Sequence, residues 1–224
     1  SAGYYYVHYE SDDARGIDVA LLYNPYVFTV DRSNALKVYF SDASGRTSRD
    51  ILHVSGRIYG LYKIDVFVCH FPSRLGGEME SEQRRCEVAS LVKSKTDSII
   101  ANDPNSAVLI MGDFNDTPQN KSIKKVLGAV PGDGLYDFVS DNKYIVKNHY
   151  GFTKSEIKDS SLVKNNLFNL MIPFISRSTG THKNQAEWGL LDQIMVSEDL
   201  FKCVSTVEIM NKDFQLMPDK RWLG

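Results

Sequence analysis

The segment VLIMGDFND, residues 108–116, places a carboxylate and an amide at the point where an apolar strand ends. Asp113 and Asn115 lie two residues apart, so in an extended chain their side chains point to the same side. Carboxylate and amide oxygens together suit a hard divalent cation or an activated water. Gly, Asp and Asn are also favoured in strand-end turns, so a plain turn is the alternative on residue chemistry alone.

A second candidate group follows another apolar run. His70 ends VFVCH, and Ser73 and Arg74 follow it in a proline-containing loop. An imidazole and a guanidinium at a strand end can both donate hydrogen bonds to a phosphoryl oxygen. The alternative is a half-buried histidine with a structural role, which is the commoner situation for an isolated histidine.

The third candidate is Asp192 in WGLLDQIMVS, residues 188–197. It lies within a predicted strand among apolar residues, where a carboxylate is costly unless something pairs with it. We therefore expect another group to face Asp192. A register that turns it to the surface is the alternative, although Leu190 and Ile194 would then share that face.

The elements that position these residues begin with a series of strands. Short apolar, β-branched runs separated by Gly, Ser, Asp and Arg predict an antiparallel meander in the first third of the chain. The predicted strands cover residues 16–23, 27–30, 36–40, 51–59 and 63–71.

An amphipathic helix is predicted next, over residues 78–102, because apolar residues recur there at three- and four-residue steps. An apolar strand at 107–111 follows, then a short helix at 122–127 and a polar passage of loops and short elements at 141–166. Strands are predicted at 187–197 and at 203–210. A strand, a helix and another strand indicate helices packed outside a sheet.

The composition restricts the classes of protein to which this chain can belong. The 224 residues carry 26 Lys and Arg against 28 Asp and Glu, so the net charge of -2 provides no overall basic field for nucleic acid, although a local patch stays open. Three cysteines without a CxxC pair argue against a disulfide framework and a structural zinc site, and each is expected to be a small buried hydrophobe. No apolar run is long enough to span a membrane.

The order HFPSR, amphipathic helix, GDFND and WxxLDQIxVS resembles the endonuclease/exonuclease/phosphatase family, particularly its bacterial members of unassigned substrate. The resemblance extends from Arg15 to Ser197, and GDFN is its most specific part. It implies an α+β fold, the DNase I-like four-layer αββα sandwich with mostly antiparallel sheets, as a single domain over residues 1–224. The site would lie at one edge of the two packed sheets.

The family hydrolyses phosphodiesters or phosphomonoesters with Mg²⁺ or Mn²⁺ by in-line attack of water. The resemblance implies that Asp113 orients or deprotonates this water and that Asn115 helps to hold the water and the phosphoryl group. His70 would donate to the developing charge on a non-bridging oxygen, and Asp192 would orient a second catalytic histidine.

The remaining assignments concern binding. Ser73 and Arg74 are the candidate substrate-binding residues, and Asp113 is a candidate metal ligand. The expected partner is a phosphate-ester substrate, either nucleic acid or a small phosphodiester, with no protein partner to be inferred.

Two motifs of the family are not found. The family needs an Asn and a metal-binding Glu near its N-terminus and a Ser-Asp-His near its C-terminus, whereas the Ser-Asp pairs at 11–12, 41–42 and 140–141 are followed by Asp, Ala and Asn. We therefore expect an inactive fragment whose main metal ligands lie outside it and from which any export signal could have been removed. The alternative is a non-catalytic module that binds a phosphorylated ligand on the same fold.

Overall fold

The computed structural model describes residues 3–42, 47–131, 136–139, 143–146, 167–171, 180–184 and 187–204. The strands are β1 (Tyr5–His8), β2 (Ala20–Tyr23), β3 (Phe28–Leu36), β4 (Ile51–Ile58), β5 (Tyr62–His70), β6 (Ala107–Asp113), β7 (Ala129–Pro131), β8 (Tyr136–Val139), β9 (Lys143–Val146), β10 (Leu167–Asn169), β11 (His182–Asn184), β12 (Glu187–Gly189) and β13 (Asp192–Val196). The helices are α1 (Glu78–Asn102), α2 (Ser122–Leu127) and α3 (Glu198–Val204).

Seven strands form one mixed sheet in the order β3-β4-β5-β6-β13-β10-β7. β3, β4 and β5 make the predicted antiparallel meander. β5 and β6 are parallel and are joined by α1, since a parallel pair needs a crossover connection. β13 runs antiparallel to β6. The carboxyl ends of β5 and β6 therefore lie side by side, next to the amino end of β13.

The large sheet is covered on both faces. Helix α1 packs on one face, where Val92 joins a core with Phe67 of β5. The β1–β2 ribbon packs on the other, where Leu21 contacts a core that includes Val66. Burial on both faces explains the continuous apolar run at residues 66–69 of β5. Full burial of a side chain such as Phe67 contributes about 1.5–3 kcal/mol relative to an exposed one.

The α+β class is confirmed, and four of the six strand pairs in the large sheet are antiparallel. The second sheet of the expected sandwich is represented among the described residues by the β1–β2 ribbon. The prediction of α1 is confirmed at both ends, and β4, β5, β6 and α2 lie where the sequence placed them.

Several strand boundaries were wrong. The strand predicted at 27–30 is longer than expected: β3 continues through its polar residues to Leu36, with a bulge after Val30. Of the strand predicted at 36–40, only Leu36 lies in β3, and Tyr39 forms an isolated bridge to Thr47. β3 lies at the edge of the sheet and is half-exposed, so polar side chains there reach solvent instead of ending the strand. The strand predicted at 16–23 begins only at Ala20, because Gly16 has a φ of 64° in a turn closed by its hydrogen bond to Asp13 O.

The strand predicted at 187–197 is interrupted between β12 and β13. At the interruption, the backbone N atoms of Leu191 and Asp192 both donate to Thr181 Oγ1. Of the strand predicted at 203–210, the first two residues lie in α3 and the rest fall outside the described residues. The passage at 141–166 also falls outside the described residues, apart from β9.

Cys69 is buried, as predicted, and its burial raises the pKa of its thiol. Cys86 is half-buried, and both are free. No helix in the described part of the chain is long and apolar enough to cross a membrane.

Candidate active site

The strand register brings three of the sequence-predicted residues into one row. His70 of β5 pairs with Asp113 of β6, and Asp113 pairs with Asp192 of β13. Residues directly opposite each other place their side chains on one face, with Cβ atoms about 4.5–5.5 Å apart. His70 Nε2 lies 3.7 Å from Asp113 Oδ2. The backbone register thus places an imidazole and two carboxylates at one end of the sheet, and the side-chain contact among them is that of His70 with Asp113.

Glycine is required immediately before Asp113. Gly112 has a φ of 134°, and a Cβ there would collide with the backbone carbonyl of Cys69 on β5. Any larger residue would separate β5 from β6 at this level. Gly112 therefore allows Asp113 to sit beside His70.

Asn115 is fixed by three hydrogen bonds. Its backbone N donates to Asp113 Oδ1 at 2.8 Å, its Nδ2 donates to Phe71 O at 3.0 Å, and its carbonyl accepts from Arg74 Nε at 2.7 Å. Its φ of 49° lies in the left-handed region, which asparagine tolerates better than most residues. The edge-to-face packing of buried Phe71 and Phe114, with ring centroids 4.9 Å apart, anchors the two loops that carry the site.

Arg49, which sequence reasoning missed, extends the row. It is 4% exposed and donates from Nη2 to His70 Nε2 at 2.9 Å. Because a guanidinium can only donate, His70 Nε2 must be the acceptor, and the ring proton is on Nδ1. Burial lowers the pKa of His70 from 6.5, the Arg49 charge lowers it further, and the Asp113 carboxylate offsets part of this. His70 is therefore neutral at neutral pH.

Asp13 supplies a further carboxylate beside Arg49. Arg49 Nε lies 3.9 Å from Asp13 Oδ2, and Arg15 donates to Asp13 from its backbone N and its guanidinium. Burial raises the pKa of Asp13, but the hydrogen bonds and charge of Arg15 outweigh it, so the net pKa is below 3.8. Asp13 is thus ionised at neutral pH.

Asp192 does not lie in the middle of a strand, as the sequence predicted, but at the first position of β13, where it is exposed. The interruption before β13 causes the difference, since Thr181 Oγ1 accepts hydrogen bonds from the backbone N atoms of Leu191 and Asp192. The neighbour of Asp192 across the strand pair is Asp113. Of the two registers considered from the sequence, the one that turns Asp192 to the surface is observed.

Arg74 and Ser73 have different surroundings. Besides Asn115 O, the guanidinium of Arg74 donates to Glu78 Oε2 at 2.9 Å and to Asn120 Oδ1 at 3.0 Å. These contacts make Arg74 a positioning residue for the loop that follows β6, and its substrate-binding role stays a prediction. Ser73 is half-buried and lines a cleft that also contains Arg49.

Asp116, which the sequence analysis also missed, connects the loop after β6 to the neighbouring elements. It is fully buried, and its carboxylate lies 2.8 Å from Arg85 Nε in an ion pair without hydrogen-bond geometry. Ser122 Oγ of α2 donates to Oδ2 at 2.6 Å, and Gln193 Nε2 of β13 donates to the backbone carbonyl at 2.6 Å. The loop is thereby joined to α1, α2 and β13. Asp116 ends the GDFND motif, which was the one signal available for it.

The row offers oxygen ligands of the kind that a divalent cation takes. Mg²⁺ is commonly held by one or two carboxylates together with water and substrate phosphate. Asp113, expected from the sequence as a metal ligand, would hold the ion. Asp192, expected from the resemblance to orient a histidine, is the second carboxylate beside it by strand register. Elsewhere in the described residues, His8, Glu10 and Asp18 bring three potential ligand atoms within 4.8 Å of one another, and none of them belongs to the row.

Comparison with solved structures supports the fold. The chain aligns with the catalytic domain of human Nocturnin at a TM-score of 0.52 and 15% identity, covering 88% of this chain and 61% of that one. It aligns with ANGEL2, a 2′,3′-cyclic phosphatase, at 0.57 and 13%, covering 88% and 63%. For a mannosyl-6-phosphatase of Bacteroides thetaiotaomicron the values are 0.50 and 16%, covering 88% and 63%. The chain thus spans about three fifths of these structures.

A search of curated proteins gives no match. A family model, described as the Endonuclease/Exonuclease/phosphatase family, matches residues 1–153, which is more than half of the sequence. The chain therefore belongs to the endonuclease/exonuclease/phosphatase family and has its DNase I-like fold.

Proposed function

We propose that this chain carries the catalytic centre of a phosphoester hydrolase that works with Mg²⁺ or Mn²⁺. The observation that carries the proposal is the row of His70, Asp113 and Asp192, with a buried guanidinium, Arg49, bonded to the imidazole. Carboxylates for a cation, a fixed positive charge and a titratable base are the groups that phosphoryl transfer to water requires.

Arg49 binds a non-bridging phosphoryl oxygen. Its guanidinium stays charged at any physiological pH, and its donors are planar and suited to two oxygens of one phosphoryl group. It is 4% exposed, so its charge is little screened. The divalent cation, when bound, neutralises part of the charge that develops on the transferred group.

Asp113 orients the attacking water and takes its proton. Its Oδ1 is held by the backbone N of Asn115, and its Oδ2 lies towards His70. The Asn115 amide, fixed against Phe71 O, helps to position the water and the phosphoryl group. One oxygen of the carboxylate is thus fixed while the other is directed into the row.

His70 changes partner during the reaction. In the described structure its Nε2 accepts from Arg49, so it cannot donate. When a phosphoryl oxygen takes the Arg49 hydrogen bond, the neutral ring can change tautomer: solvent gives a proton to Nε2 and takes the proton from Nδ1, and Nε2 then donates a hydrogen bond to that oxygen. This gives His70 the donor role expected from the sequence, but only after substrate has displaced Arg49.

A phosphomonoester or small phosphodiester is the proposed substrate class. Of the proteins that share the fold, ANGEL2 is described as a 2′,3′-cyclic phosphatase and the Bacteroides protein as a mannosyl-6-phosphatase. The net charge of -2 favours a small substrate over a long nucleic acid.

The test is a Mg²⁺- and Mn²⁺-dependent assay of bis(p-nitrophenyl) phosphate and p-nitrophenyl phosphate, with the natural gene product and with this 224-residue chain. We expect turnover by the natural product that falls by about 100-fold or more in Asp113→Ala and in His70→Ala. That the 224-residue chain is inactive alone stays a prediction, which the same assay decides. Phosphate binding without turnover by the natural product would favour the binding module instead.

A further inference from the structure

A cleft of about 450 Å³ opens beside the row and shares Arg49 with it. Its polar lining includes Ser48 and Ser73, and its apolar lining includes Phe40, Pro72 and Leu75. Since Arg49 contacts His70, whatever occupies this cleft lies next to the group that reacts.

Two buried polar atoms at this cleft are unpaired. Ser48 is 4% exposed, and neither its Oγ nor Arg49 Nε has a hydrogen-bond partner among the described residues. The Asp13 carboxylate, at 3.9 Å from Arg49 Nε, is beyond hydrogen-bond distance. Buried polar groups in native proteins nearly always have a partner, and a missing one indicates a ligand or water.

The charge of the cleft is positive. Three guanidinium groups line it, from Arg15, Arg49 and Arg84, against a single carboxylate, that of Asp13. Arg84 is held in place by Asp42, with Nη2 2.7 Å from Oδ2, and lies over the ring of Phe40. Because the whole chain is slightly negative, this positive cleft is a local feature.

We propose that the cleft binds a second phosphate group of the substrate, so that the protein selects phosphoesters that carry another phosphate near the ester that is cleaved. The unpaired hydroxyl and guanidinium nitrogen donate to that phosphate, and the apolar wall contacts the carbon skeleton that joins the two groups. The selectivity for the substrate rests on the proposed function, whereas the phosphate site rests on the unpaired atoms and the charge alone.

The test is calorimetric titration of the protein with inorganic phosphate. We expect two sites, one weakened about tenfold by Ser48→Ala and by Arg84→Met, since hydrogen bonds to charged groups are worth at least that factor. Arg57→Met is the matched control, because Arg57 also pairs with one carboxylate, that of Asp31. It should leave both sites unchanged.

Removal of the Ser48 hydroxyl should leave the melting temperature unchanged, so Ser48→Ala decides the question even if Arg84→Met fails to fold. Phosphate binding that is identical in the unchanged protein and in Ser48→Ala would overturn the proposal. If His70→Ala alone weakens binding, the cleft proposal fails and the catalytic row stands. If Ser48→Ala and Arg84→Met weaken phosphate binding but His70→Ala does not, the cleft proposal is supported and the proposed function loses its support.

Discussion

The polar network around Asp116 and the cleft around Ser48 differ in how closely their buried polar groups are paired. In the network, the Asp116 carboxylate lies 2.8 Å from Arg85 and 3.3 Å from Arg74, so each charge meets an opposite one. In the cleft, Ser48 Oγ has no hydrogen-bond partner among the described residues, and Arg49 Nε lies 3.9 Å from its nearest paired carboxylate, Asp13. Arg85 Nε in the network also lacks hydrogen-bond geometry, but its carboxylate is 2.8 Å away. We infer that close charge pairing marks the polar groups that hold the fold, and that the loosely paired groups of the cleft are directed at a ligand.

The largest expected effect is that of Asp116→Ala on stability. The substitution leaves Arg85, which is fully buried, without its counter-charge. Removing one partner of a buried ion pair typically costs about 3–5 kcal/mol in the free energy of unfolding. Urea denaturation measures the loss. Asp31→Ala, which removes the partner of the partly exposed Arg57, should cost at most about 1 kcal/mol. Equal losses in the two variants would contradict the contrast.

Arg49→Met should have the opposite effects to Asp116→Ala: a large loss of catalytic rate and a small loss of stability. Loss of a donor aimed at the developing charge lowers the rate by about 100-fold or more, equivalent to roughly 2.7 kcal/mol. The free energy of unfolding should change less than in Asp116→Ala, because Asp13 Oδ2, the carboxylate oxygen beside Arg49 Nε, is 3.9 Å away and also has Arg15 as a partner. Assay and denaturation of the same preparation separate the two effects. A stability loss as large as that of Asp116→Ala would place Arg49 with the structural network.

Two buried serines give the sharpest matched pair. Ser122 Oγ donates to Asp116 Oδ2 at 2.6 Å, whereas Ser48 Oγ has no partner among the described residues. Ser122→Ala should therefore lower the free energy of unfolding by about 1–3 kcal/mol, because it leaves an oxygen of a buried carboxylate unpaired. Ser48→Ala should leave it unchanged. Comparable losses would show that the Ser48 hydroxyl stabilises the fold after all.

The smallest effect is expected at Asp65, a paired group on β5. Burial raises the pKa of Asp65, but hydrogen bonds from His53 and Ser55 outweigh it and the net pKa lies below 3.8. The ionised carboxylate therefore contributes stability above pH 3.8 that is lost as the pH falls through the lower folded-state pKa. In Asp65→Asn, the free energy of unfolding should depend less on pH below about 4. An unchanged slope would count against this pairing.

The sequence was sufficient wherever burial alone decides the structure. Residues 66–69 of β5 form an apolar run because both faces of the strand are covered there, and α1 shows a helical period because one stripe is buried. Both were predicted with their ends close to those observed. β3 was predicted to end too early because an edge strand carries polar residues that resemble a turn. The sequence placed His70 and Asp113 at the ends of two strands with a helix between them, and the parallel pairing of these strands brings the two residues side by side.

Arg49 and Asp116 could not be predicted, because their roles depend on contacts between distant segments. The Ser-Arg-Asp stretch before β4 has the composition of a solvated turn, yet Arg49 is buried against His70, 21 positions away. Arg74 was predicted to bind phosphate by its position after HFPS; its donors meet groups of α1 and of the loop after β6, and its substrate-binding role stays a prediction. The contact of Arg49 with His70 is visible only in the assembled fold.

The central claim is that the row of His70, Asp113 and Asp192 is a metal-dependent phosphoesterase centre. The most direct measurement is the initial rate of p-nitrophenyl ester hydrolysis by the natural gene product over a Mg²⁺ titration, compared with Asp192→Asn. We predict that the unchanged protein needs the cation and that Asp192→Asn needs a higher Mg²⁺ concentration for half-maximal rate. A rate that is independent of the cation, or a titration that Asp192→Asn does not shift, would contradict the account.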